Sequence, residues 1–98
     1  MIHAGIVTTV AVSSSKESNL YAQSVEALAT VDRNLREAGT DKSRILMVTC
    51  YIADINEKPE FNRAWDDWVD RSNLPLRACV GAALEDKDLV EVIVTAAV

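Results

Sequence analysis

The chain has 98 residues, 49% of them hydrophobic and 26% charged, a composition that folds and that suits one small domain over 1–98 whose thin core gains from oligomerisation. Acidic side chains outnumber Lys and Arg by 15 to 10, leaving a net charge of −5 and no basic patch for a phosphate backbone, so nucleic acid is not the expected partner. No apolar run reaches the roughly 18 residues that span a bilayer, MIHAGIVTTVAV carries no basic leader, and two cysteines without CxxC spacing read as reduced thiols: no membrane, and a cytoplasmic protein.

In chain order, residues 4–12 are rich in Val, Ile and Thr and predict a strand that stops at Ser13, Ser14 and Ser15. A helix follows over 19–38, where Tyr21, Val25, Leu28, Val31 or Asp32, and Leu35 recur every three or four residues and share one face. Ser18 or Asn19 is placed to cap its start, and Gly39 stands where a left-handed C′ residue ends a helix. Residues 45–53, ILMVTCYIA, are a continuous apolar run too short for a helix, which predicts a strand covered on both faces. A second helix over 59–70 begins with Pro59 and aligns Phe61, Ala64, Trp65, Trp68 and Val69 on one stripe, the tryptophans reading as helix-to-sheet packing. After the break SNLP come strands over 76–84 and 89–97, and the polar link Glu85, Asp86, Lys87, Asp88 reads as a hairpin turn. The order β-α-β-α-β-β is an α+β sheet with both helices on one face. Because Met47, Thr49 and Tyr51 alternate with Leu46, Val48, Cys50 and Ile52, the uncovered face is too apolar for water, and a partner subunit is its simplest cover.

Alternation also puts Arg77, Cys79, Gly81 and Ala83 on one side of their strand, and Glu91 on one side of the next with Ile93 and Thr95. A guanidinium and a carboxylate in apolar strands are costly to bury without partners, and two readings stay open. Both groups can sit at strand ends or pair with each other as a structural ion pair. Alternatively, Arg77 presents its fork to a small carboxylate while Glu91 handles water or protons. A hairpin places Arg77 near Thr95, which leaves the two groups several residues out of register, with space between them for a small ligand or a neighbouring subunit's residue. Asn62 can serve a ligand or the first turn of its own helix, and Asp66 and Asp67 read as a solvated face. Cys79 as a nucleophile lacks a base, since His3 is the sole histidine, and that reading is set aside; His3 and the cysteines form no metal-ligand cluster, so no metal is expected.

The stretches LPLRACVGAAL and LVEVIVTAAV, preceded by FNRAWDDWV and LREAGTDKSRILMVTCYIAD, resemble the RidA family, the YjgF-type reactive-intermediate or imine deaminase proteins, and within it the YoaB-like short branch. The resemblance runs over residues 2–98, and its most specific parts are P-x-R-x-C at Pro75, Arg77 and Cys79 and V-E-V at 90–92. It implies a chorismate-mutase-like fold, a homotrimer around an inner barrel, and three clefts between subunits. It also implies hydrolysis of reactive enamines and imines from pyridoxal-phosphate enzymes, giving a 2-oxo acid and ammonia with no cofactor. On that analogy Arg77 holds the substrate carboxylate, the Cys79 backbone amide assists and Glu91 orients or deprotonates water. The family's helix asparagine falls on Asn62 and its small hydroxyl residue on Thr9. Compared with the family pattern, the tyrosine-bearing G-P-Y-type segment has no counterpart in this sequence, Val10 stands where glycine is common, and the loop before Glu91 is shorter. Two other functions are weighed: a non-catalytic binder of small carboxylates or chaperone-like regulator using the same clefts, and the single-strand RNA cleavage that the resemblance also implies, which the acidic balance disfavours.

Overall fold

The computed structural model describes residues 2–17 and 19–98, without the side chain of His3. Its strands are β1 (Ile2–His3), β2 (Ile6–Val12), β3 (Ile45–Ile52), β4 (Leu76–Gly81) and β5 (Val90–Ala97), and its helices are α1 (Leu20–Glu37) and α2 (Lys58–Trp68). The expected β-α-β-α-β-β order holds, with the two-residue β1 added through a tight turn in which Ala4 and Gly5 both have positive φ, the backbone twist that suits a hairpin.

Local chemistry sets the helix limits. Asn19 caps α1, its side chain accepting from the Ala22 amide at 2.8 Å; Ser18, the other capping candidate, lies outside the described residues. At the far end Gly39 takes φ 86°, and the amides of Gly39 and Thr40 donate to the Arg36 and Leu35 carbonyls, a Schellman closure. Pro59 falls in the first turn of α2, where its missing N–H costs nothing. The buried stripe of α1 runs through Leu20, Ala27, Leu28, Val31 and Leu35, so the expected face is rotated: Val25 is exposed and Tyr21 half-buried. Both lie toward α2, where the Arg63 guanidinium stacks 4.1 Å above the Tyr21 ring.

The sheet order is β1-β2-β5-β3-β4. β5 runs antiparallel between β2 and β3, while β4 pairs only with β3 and runs parallel to it. This corrects the hairpin expected between the last two strands. A parallel neighbour needs a long crossover, and α2 supplies it between β3 and β4; β5 then inserts on the other side of β3. The polar link 85–88 is therefore part of a longer connection across the end of the sheet.

Val7 and Ala11, Val48, Cys50 and Ile52, and Val90, Val92, Val94 and Ala96 project from the sheet into one core with the helix residues Leu28, Val31, Leu35, Phe61 and Trp65. Both helices cover that face, as the alternation predicts. On the opposite face, cross-strand rows join Val10, Ile93, Thr49 and Ala78, and Val12, Glu91, Tyr51 and Val80. Val10 stays 55% exposed and Leu76 73%, so an apolar face is left to solvent in the single chain. A bulge between Ile45 and Met47 turns both Leu46 and Met47 to that side.

One buried polar side chain ties the ends of the sheet together. Gln23 Nε2 donates to the Glu17 and Lys87 carbonyls at 2.6 and 3.0 Å, and its Oε1 accepts from the Leu89 amide at 2.8 Å. Gln23→Leu keeps the volume and strands three backbone groups, so we expect it to cost about 3 kcal/mol, read as a lower urea midpoint at unchanged slope. Beside it, Glu26 accepts from the Ser13 and Ser15 hydroxyls and from the Ser15 amide, bonds that hold its carboxyl below the usual carboxylate range. This contribution is full above the unfolded pKa of glutamate and is lost as pH falls through the lowered value.

Candidate active site at the free edge of the sheet

β4 is an edge strand, and its position decides what Arg77 can reach. Arg77 is the register partner of Val48 and so leaves the sheet on the helix-covered side. There its guanidinium carbon lies 5.2 Å from the Trp65 ring centroid and 5.7 Å from that of Phe61, and Nη1 donates to Asn62 Oδ1 at 3.0 Å. α2 thus gives the cation an aromatic shelf and one neutral acceptor. Among the described residues the ion pairs are Lys16 with Asp88 and Arg63 with Glu60, so no carboxylate neutralises Arg77. The side chain is half-buried.

Backbone polarity adds to this. The Ala82 amide donates to the Ile52 carbonyl at 3.0 Å, and along a strand successive backbone groups point to opposite sides. Ala78, Val80 and Ala82 therefore face β3, and the amides of Arg77, Cys79 and Gly81 face the open edge. The Cys79 N–H and the Arg77 fork stand two residues apart at a boundary with solvent, a pair of donors suited to a small carboxylate. Gly81 matters at the end of this strand: a Cβ there would meet the Ile55 Cβ at 3.2 Å, a close approach of the 55–57 turn to β4.

The Cys79 side chain is half-exposed; burial raises its thiol above the ordinary value, with the Arg77 charge pulling partly back. The Cys50 thiol, fully buried beside it, is pushed up to about 12 by burial and by Cys79. Neither is a ready thiolate, which agrees with setting the nucleophile reading aside.

Of the sequence-derived site residues, the structure brings Arg77, Asn62 and Cys79 together and leaves Glu91 and Thr9 elsewhere in the same chain. Glu91 pairs with Val12 and Tyr51 in a row on the helix-free face, opposite to Arg77 and two strands away. The expected space between Arg77 and Glu91 within one chain does not form, because it relied on the hairpin; nor do the two make an ion pair. Thr9 shares the Arg77 row through Val94 and Val48, but three strand spacings, about 14 Å, separate them. Its hydroxyl accepts from Asn34 Nδ2 at 2.9 Å, beside an open cavity of about 470 Å³ lined also by Ile2, Val7, Glu37 and Ala38. What sequence reasoning missed is the shelf: Phe61 and Trp65 are i and i+4 on α2, and a crossover helix lying over β3 and β4 must set that pair against the inward residues of the edge strand. Among the described residues no group of three or more His, Cys, Asp or Glu could hold a metal, and no helix is long and apolar enough to cross a membrane.

The model of the family Ribonuc_L-PSP, described as Endoribonuclease L-PSP, matches residues 3–98. The chain belongs to this family. Among L-PSP relatives, a RutC family protein of Haemophilus ducreyi is 41% identical over 88 residues, covering 89% of this chain and 75% of its own. The RutC family protein YoaB of Escherichia coli is 34% identical over 99 residues, covering 100% of this chain and 87% of its own. A crystal structure from Neisseria meningitidis, described as a member of the YjgF protein family, is 34% identical with a TM-score of 0.90, covering 95% of this chain and 79% of that one. The family resemblance read from the sequence thus extends over residues 3–98, and membership in the RutC, Rid and YjgF group supports a role in processing small molecules.

Proposed function

We propose that this protein hydrolyses small 2-imino acids and their enamine tautomers to 2-oxo acids and ammonia, in clefts between the subunits of a cytoplasmic homotrimer. The observation that carries the reading is Arg77: a half-buried guanidinium on an aromatic shelf, donating to Asn62, in no ion pair among the described residues, and with the Cys79 amide turned to the same open edge. Such a cation is expensive to maintain unless a ligand carboxylate completes it.

In the proposed reaction Arg77 and the Cys79 amide fix the carboxylate, which orients the adjacent C=N carbon. A protonated imine is already electrophilic, so water adds to that carbon once a carboxylate takes its proton. The carbinolamine then expels ammonia as the C=O bond forms, and no cofactor or metal is called for. We assign the water-handling role to Glu91 of a neighbouring subunit, since it lies on the helix-free face and does not reach Arg77 in its own chain; Thr9, on the helix-covered face and bonded to Asn34, is left without a part in the reaction. The apolar helix-free face is the surface that brings the subunits together.

The reading is tested by coupling the protein to a pyridoxal-phosphate dehydratase and following 2-oxo acid release: acceleration supports it, and tight 2-oxo acid binding without acceleration would replace it with a binding module. RNA cleavage, which the family model's description names, is disfavoured by the net charge of −5. Subunit assembly has its own check. Val10→Asp puts a charge into the centre of the apolar face, and light scattering is expected to show the trimer replaced by folded monomer with activity lost. Mixing Arg77→Ala with Glu91→Gln subunits is expected to restore a fraction of the activity, because some clefts then combine one intact residue from each chain.

A further inference from the structure

Cys50 and Cys79 face each other across the parallel pair β3 and β4 as register partners. Facing residues of neighbouring strands are about 4.8 Å apart, inside the roughly 4.4–6.8 Å of Cα separation that a disulfide bridges, and both side chains leave the sheet on the same face. Both thiols are free. Their surroundings differ: Cys50 is fully buried in the core, whereas Cys79 is half-exposed on the edge strand, two residues from Arg77.

We propose that Cys50 and Cys79 form a reversible dithiol–disulfide pair, with Cys79 as the entry thiol and Cys50 as the resolving thiol, driven by small-molecule disulfides. The first step is attack of the Cys79 thiolate on a disulfide RSSR: the RS–SR bond breaks, a Cys79–SR bond forms and RS⁻ leaves to be protonated. In the second, Cys50 attacks the Cys79 sulfur and its proton passes to the departing RS⁻, forming Cys50–Cys79 and releasing the other RSH. Two protein thiols are oxidised and one RSSR becomes two RSH; excess thiol reverses both steps.

The bond has a structural effect independent of any deaminase activity. β4 is held to the sheet by β3 alone, and the disulfide ties this edge covalently to the core. It also turns the Cys79 sulfur inward, beside the guanidinium. Because burial raises the Cys79 thiol, the entry step is slow at neutral pH and accelerates as the solution is made alkaline, which marks a slow lock and not a rapid sensor.

The experiment uses the intact protein and oxidised glutathione over a series of pH values, with acid quench, N-ethylmaleimide labelling after unfolding, and intact-mass and peptide analysis. Wild type is expected to lose both labelled thiols with no glutathione retained, to yield one cross-linked peptide pair within a single chain, and to recover both thiols in dithiothreitol. Cys79→Ser is expected to stay unmodified, and Cys50→Ala to stop at one glutathione on Cys79. A stable glutathione adduct on wild-type Cys79, a cross-link between two chains, or two thiols still fully labelled at alkaline pH would each overturn the proposal. The wild-type result decides even if Cys50→Ala packs poorly.

Discussion

In the coupled assay, Arg77→Ala lowers kcat/KM by roughly 100-fold or more. Two charge-assisted hydrogen bonds to a carboxylate at about 1.5–3 kcal/mol each amount to at least about 3 kcal/mol, and each 1.4 kcal/mol is a factor of ten. The loss should fall on both KM and kcat, since the same contact binds the substrate and orients its C=N carbon. Arg77→Lys keeps the charge but not the fork, so it recovers only part of the rate. The fold is expected to survive both changes: the cation over Phe61 and Trp65 is worth about 1 kcal/mol, and circular dichroism will report an intact protein. An Arg77→Ala protein with wild-type turnover would remove Arg77 from the chemistry and the proposed reaction with it.

Phe61→Ala is expected to be the most damaging single change to stability. Phe61 is fully buried, stacks on Trp65 with centroids 6.2 Å apart, and lies in the core between α2 and the sheet. Deleting its ring removes apolar burial and leaves a cavity, a loss of about 3–5 kcal/mol. For a domain of this size each kcal/mol moves Tm by about 4–8 °C, so thermal unfolding should shift down by more than 10 °C. Because the ring is also half of the shelf under Arg77, whatever folded protein remains should bind 2-oxo acids more weakly than wild type. A shift of a degree or two would mean that Trp65 and Trp68 support the interface unaided.

Periodicity made the elements legible. The uninterrupted run 45–53 announced a strand buried in a sheet, and β3 does lie between β5 and β4. Gly39 and Asn19 marked the limits of α1 because each is the residue type that end geometry demands. Pairing was not legible in the same way. The polar link 85–88 has hairpin composition, yet the neighbour of β4 is fixed by where α2 delivers it, a long-range matter that local turn chemistry does not encode. That one error displaced Glu91, whose face depends on register with β2 and β3. Arg77 and Asn62 were recoverable because a residue on the edge strand and one on the preceding crossover helix meet whenever that helix packs on its own β-α-β unit. Val25 was misplaced for a related reason: a periodic stripe does not say whether its edge meets the sheet or the neighbouring helix.

The strand order carries a consequence for biosynthesis. β5 is made after the other four strands, yet it occupies the middle of the ladder, where Ile6 pairs with Ala97 and Ile52 with Val90. Until it emerges from the ribosome, the β1–β2 and β3–β4 pairs share no backbone hydrogen bonds, and only the packing of α1 against β2 and α2 relates them. A nascent chain of this kind cannot acquire its structure piecemeal during translation; closure waits for the last strand and then joins sequence-distant segments in one slow, cooperative step. Deleting even residues 94–97 of that strand should therefore produce insoluble protein in the cell, not a shortened native one.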